Sequence, residues 1–99
     1  MFVLDSFVEE MLQPEVPKTL LINRMLNGLG AEKPPQFKIP APKYTFESNL
    51  HGVIYDYQKK EVLLSYKVAP AMYPDMILSF VTFRVVLEGL AVCIRMQKW

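Results

Sequence analysis

The sequence predicts an α+β fold: two N-terminal helices, a proline-rich extended connector, and a C-terminal antiparallel sheet of about four to five strands. Three observations carry this. Apolar residues recur every three or four positions across residues 1–30; Pro34, Pro35, Pro40 and Pro42 crowd residues 31–43; and short runs after Tyr44 alternate apolar with polar side chains. Helices and strands are thus segregated along the chain, which argues for α+β over a parallel α/β sheet. Ninety-nine residues suit a single domain with a modest core. Its parts are helical (1–30), connecting (31–43) and β-rich (44–99).

In the first helix Val3, Leu4, Phe7, Val8, Met11 and Leu12 make an apolar side from which Glu9 and Glu10 face away. Ser6 followed by Glu9 resembles a capping box, which would start the regular helix inside the chain, and Pro14 ends it. A second helix is signalled from Pro17, whose missing N–H suits a first turn. Leu21, Ile22, Met25, Leu26 and Leu29 form its apolar side. Gly28 and Gly30 suit a left-handed closing residue, placing the end near Asn27.

Proline fixes φ, removes a donor and pushes its predecessor out of the helical region, so residues 31–43 must be extended or irregular. They read as a linker, or as a wrapping segment whose Phe37 and Ile39 dock on another protein. Tyr44 to Ser48 is a short strand, followed by a turn at residues 49–52. Val53, Tyr55 and Tyr57 then pair with Tyr66, Leu64 and Val62 in a hairpin with a hydrophilic tip at residues 58–61.

The densest apolar surface runs from Met76 to Met96 and has three readings. As a β-hairpin turning at Glu88-Gly89, it puts Val81, Phe83, Val85 and Leu87 opposite Met96, Ile94, Val92 and Leu90, with Thr82, Arg84 and Arg95 on the outer face. As one helix, it lines Arg84, Glu88 and Arg95 along a stripe. As a membrane span, it has the required length and a mean hydropathy of roughly +2, but two central charges count against it at about 2.5 to 3.5 kcal/mol each. The β-rich composition favours the hairpin; the alternative architecture is mainly α, with a transmembrane helix over residues 76–96.

Chemistry finds little support. His51, the only histidine, reads as a solvated turn residue despite Glu47 four positions before it, and the lone Cys93 reads as a small buried hydrophobe. One His and one Cys make no zinc set, the carboxylates lack calcium-loop spacing, and Gly28 and Gly30 follow a helix where a phosphate loop would follow a strand. No cofactor, metal or small-molecule substrate is therefore expected. Lys38, Lys43, Lys59 and Lys60 around Tyr44, Phe46, Tyr55 and Tyr57 could serve a nucleic-acid surface, but a net charge of +1 gives no global attraction. Asp5, Glu9 and Glu10 interrupt any cleavable leader, and a single cysteine permits a reducing, intracellular compartment.

The expectation is a protein that is not an enzyme and that works by binding other subunits or itself. It would be a small accessory subunit of a larger assembly or a homo-oligomer, with Phe37, Ile39, Thr82, Arg84 and Arg95 as the partner-binding residues. Membrane association through residues 76–96 is the alternative.

Overall fold

A computed structural model describes residues 2–13, 19–30, 43–69 and 71–96. They form α1 (Val3–Met11), α2 (Thr19–Leu29), β1 (Lys43–Glu47), β2 (His51–Asp56), β3 (Glu61–Tyr66), β4 (Met76–Ser79) and α3 (Phe80–Met96). The fold class is α+β, with a four-stranded antiparallel meander ordered β1-β2-β3-β4. Pro17 and the stretch carrying Phe37 and Ile39 lie outside the described residues.

Helix α1 starts earlier than the Ser6–Glu9 pattern suggested. Phe2 is the extended N-cap, and the Asp5 carboxylate accepts its N–H at 3.1 Å. Val3, Phe7 and Met11, spaced by four, are buried together with Ser6 and Glu10 on the adjoining strip. Glu10 therefore faces inward, contrary to the expectation, while Glu9 is exposed.

Helix α2 buries Ile22, Met25, Gly28 and Leu29 and runs two residues past Asn27. No described glycine has positive φ, so neither Gly28 nor Gly30 closes the helix in a left-handed conformation. Gly28 is a packing residue: a Cβ there would lie 3.1 Å from Cε2 of Tyr55 and 3.3 Å from Cζ of Phe46. Its missing side chain lets α2 settle onto the aromatic face of the sheet, where Tyr55 donates to the Met25 carbonyl at 2.8 Å and Tyr57 to that of Gly28 at 3.1 Å.

Period-2 alternation divides the sheet. Phe46, Val53, Tyr55, Val62 and Leu64 point to the helices and are buried, whereas Thr45, Ile54, Leu63 and Ile77 make a row across the opposite face. The β2–β3 register pairs Tyr55 with Val62 and Val53 with Leu64, two residues from the pairing read off the sequence. A slip of two preserves which side chains face the core. The hairpin turns over residues 57–60, where Lys60 takes the left-handed conformation at φ 54°.

The hairpin reading of residues 76–96 is overturned: β4 ends at Ser79 and the rest is helix. Ser79 Oγ accepts the Thr82 N–H at 3.1 Å, an N-cap that starts α3, and the Phe80 N–H donates to the Lys60 carbonyl at 2.9 Å. Phe80, Phe83, Leu87, Leu90 and Ile94 are buried. Their spacing of three and four is the helical period, and it outweighs the β propensity of Phe, Val and Thr because it buries five large side chains against α2 and the sheet. Phe83 and Leu87 are fully enclosed. Among the described residues no helix is long and apolar enough to cross a membrane.

Candidate functional site

Two places in the fold hold features that a core does not explain: a buried polar cluster beneath α1 and the outward face of α3.

Ser6 and Glu10, four apart, project from the same side of α1 onto the turn between β1 and β2. There His51 opens β2 with no exposed surface, correcting the expectation of a solvated histidine. Glu10 Oε1 lies 2.6 Å from His51 Nδ1 and accepts the Ser48 hydroxyl at 2.6 Å; Oε2 accepts the Leu50 N–H at 3.3 Å. The far ring nitrogen, Nε2, lies 3.0 Å from Ser6 Oγ. An ionised carboxylate only accepts, so His51 Nδ1 carries a proton and donates to Glu10, while Nε2 and the Ser6 hydroxyl share the hydrogen bond on the far side of the ring.

Burial, the largest single influence, pushes the Glu10 carboxyl upward. Hydrogen bonds from His51 and Ser48, the His51 charge and the Leu50 N–H together outweigh it, and the net result lies below the ordinary value of 4.5. Phe7 meets the imidazole edge-on at 5.7 Å between centroids, and Tyr66 covers it at 5.3 Å.

Hydroxyl, imidazole and carboxylate in this order match the spacing of a nucleophile, its base and the base's orienting group. Other requirements are missing from the geometry. The Ser6 N–H is hydrogen-bonded within the helix to the Phe2 carbonyl at 3.3 Å, so it is not free to stabilise an oxyanion. Clefts of about 290, 590 and 220 Å³ are lined by other residues, and none reaches Ser6, Glu10 or His51. The cluster instead fastens α1 to the β1–β2 turn, with every partner of Glu10 drawn from 38 to 41 residues away.

The α3 surface has the opposite character. At 100° per residue, Val81, Val85, Val92 and Met96 fall within about 60° of one another and roughly opposite the buried side. They are 75%, 66%, 44% and 75% exposed. Gly89 lies at one edge of the stripe, about 20° beyond Met96, with nothing within 4 Å of where a Cβ would be. Arg84, Glu88 and Arg95 line one flank; Cys93 lies beyond Gly89 toward the other and is exposed, not buried as expected.

Of the residues expected to bind a partner, Arg84 and Arg95 are thus exposed together beside the stripe. Thr82 is about 150° away around the axis. Its hydroxyl engages Ser79 Oγ at 2.9 Å, so the single outer face expected of a hairpin does not exist. Of the aromatic residues expected to stack bases, Phe46, Tyr55 and Tyr57 are buried beneath the helices and Tyr44 is half-buried; Lys59 and Lys60 are exposed at the hairpin tip, and Lys38 lies outside the described residues. No group of three potential metal ligands occurs among the described residues. No protein-family model matches the chain, and neither a curated protein nor a solved structure shows significant similarity to it.

Proposed function

We propose that this chain is a non-catalytic protein-interaction module, an accessory subunit of a larger assembly or a homo-oligomer, whose contact surface is the outward face of α3. The observation behind this reading is the stripe of Val81, Val85, Val92 and Met96 left in water on the side of α3 away from the core. Burying such a side chain fully contributes about 1.5 to 3 kcal/mol, and a contiguous apolar strip rimmed by charge is a common mark of an interaction surface. Arg84, Glu88 and Arg95 supply that rim. The exposed, unpaired thiol of Cys93 fits a reducing compartment.

The test is the apparent size of the protein in extracts of the cells that make it. The parent should elute in a particle larger than its 11.5 kDa monomer. A Val85→Lys/Val92→Lys variant should elute as a folded monomer, since both positions point to solvent and leave the core intact. Elution of the parent as a monomer, or of both proteins in the same large particle, would refute the reading.

A further inference from the structure

We infer that the cleft where the tip of the β2–β3 hairpin meets the start of α3 binds a small organic anion, a carboxylate carried on an apolar body. This goes beyond the reading of α3 as a contact surface and does not depend on it.

Local structure brings two cations to one place. Lys60, in its left-handed turn conformation, accepts the Phe80 N–H at its carbonyl at 2.9 Å, so the hairpin tip is held against the first residue of α3. Arg84 lies four residues on from Phe80 and therefore on the same side of the helix, one turn along. Side chains of an α-helix lean toward its N-terminus, so Arg84 reaches back toward the end that Lys60 flanks. Burial raises the Tyr55 phenol and the Arg84 charge opposes it, so the guanidinium is near enough for its field to reach that buried hydroxyl. Lys60 and Arg84 both border a cleft of about 590 Å³.

The rest of the lining defines the ligand. Leu29, Tyr57 and Phe80, largely buried, make the floor, and exposed Val81 makes one wall. Tyr57 directs its hydroxyl to the Gly28 carbonyl at 3.1 Å and meets Phe80 edge-on at 5.6 Å, so the two offer ring surface and no free donor. None of the described lining residues is acidic, and neither cation takes part in the described ion pairs, Glu10–His51 and Glu47–Lys67. Two like charges facing one apolar floor repel, and an anion between them removes that cost.

Small-molecule sites have this make-up, an apolar lining with a few placed polar groups in about 300 to 1,000 Å³. A guanidinium fork matches a carboxylate with two hydrogen bonds, the ammonium adds a point charge, and the floor takes the apolar body. With a net charge of +1 on the whole chain, the attraction belongs to this cleft and not to the surface at large. A bare ion would leave the floor wet, and an uncharged body would leave the cations without a counter-charge. The ligand therefore needs both halves.

The test titrates the purified full chain with octanoate, octan-1-ol and acetate, followed by amide chemical shifts. Octanoate should shift the Leu29, Lys60, Val81 and Arg84 amides saturably, with a Kd on the order of 1 mM. Octan-1-ol lacks the charge and acetate the body, so each should bind at least about tenfold more weakly. Lys60→Gln/Arg84→Gln should lose at least about tenfold in octanoate affinity, whereas Lys59→Gln/Arg95→Gln removes as much charge from outside the cleft and should bind like the parent. All four side chains are exposed, so both variants should keep the parental fold. Val81→Asp, at another exposed position of the lining, should weaken octanoate by a similar factor through repulsion.

No saturable shift up to about 5 mM octanoate, shifts centred elsewhere, equal binding of octan-1-ol, or equal loss in the two double variants would each overturn the inference. Both double variants leave Val85 and Val92 in place, so failure here leaves the contact-surface reading standing, and failure of that reading leaves this site.

Discussion

Replacing Glu10 by glutamine tests the buried cluster with the least change of shape. The carboxylate accepts three hydrogen bonds, two at Oε1 from His51 and Ser48 and one at Oε2 from the Leu50 N–H. An amide cannot reproduce this pattern. With its oxygen toward His51 and Ser48, its NH₂ confronts the Leu50 N–H. Flipped, it forces His51 to the other tautomer and Ser48 to turn its hydroxyl toward the His51 carbonyl, 3.2 Å away. Hydrogen bonds to a charged group contribute about 1.5 to 3 kcal/mol and neutral ones about 0.5 to 1.5, so Glu10→Gln should cost roughly 1 to 3 kcal/mol at pH 7. At about 4 to 8 °C per kcal/mol for a domain of this size, Tm should fall by roughly 4 to 24 °C. Exposed Glu9→Gln is the control and should change little. The pH dependence has a definite sign. Because folding holds the Glu10 carboxyl below its unfolded value near 4.5, its contribution is fully present above that pH and disappears as pH falls through the folded value. Parent and Glu10→Gln stabilities, measured by denaturant unfolding from pH 7 to pH 3, should therefore converge on acidification. Equal stability at pH 7 together with parallel pH curves would refute the claim that the ionised carboxylate fastens α1.

Two glycines should answer the same substitution with opposite sign. Gly89→Ala, in open space inside α3, should stabilise by about 1 kcal/mol, read by denaturant unfolding. Gly28→Ala should lose that gain to overpacking of about 1 to 3 kcal/mol against Tyr55 and Phe46, and come out neutral to destabilised by roughly 2 kcal/mol. Tyr55→Phe removes the hydroxyl bonded to the Met25 carbonyl and should cost about 0.5 to 1.5 kcal/mol in the same assay. Burial raises the Tyr55 and Tyr57 phenols above the ordinary 10, the neighbouring tyrosine adding to each and Arg84 opposing at Tyr55. Their contribution is thus complete below pH 10 and lost as pH rises through the folded values. In an absorbance titration Tyr55 and Tyr57 should ionise above the ordinary 10, Tyr55 only with unfolding.

Much of the fold was legible because its pattern is simple. The Val3, Phe7, Met11 stripe and the alternation through Val53, Tyr55, Val62 and Leu64 each have one face that must be dry, and one period satisfies each. The glycines were misread for a definite reason. Sequence reasoning assigns glycine to unusual φ, yet Gly28 is set by contact with Tyr55 and Phe46, side chains that the chain brings to it from 27 and 18 residues away. The β2–β3 register slipped by two because a four-residue turn centred one step earlier leaves the same side chains facing the core.

The misreading of residues 76–96 has a different origin, and it bears on function. A helix with one partner is apolar on one side, and its period is plain; α3 is apolar on two sides. Phe83, Leu87, Leu90 and Ile94 form one stripe and Val81, Val85, Val92 and Met96 the other, roughly half a turn apart. Superposed, the two stripes erase the 3.6-residue contrast and leave an almost continuous apolar run, which reads equally as a strand pair or a membrane span. The signal that resolves it is local: Ser79 at the N-cap, and a three-four spacing that emerges once the valines are set apart from the larger residues. His51 was lost similarly. It shares parity with Val53 and Tyr55, so the inward face of β2 already extended back to it, and Ser6 with Glu10 formed a polar pair four apart on α1. The ambiguity of the α3 sequence is thus the trace of its second apolar side: with polar residues at 81, 85 and 92 the helical period would have been plain.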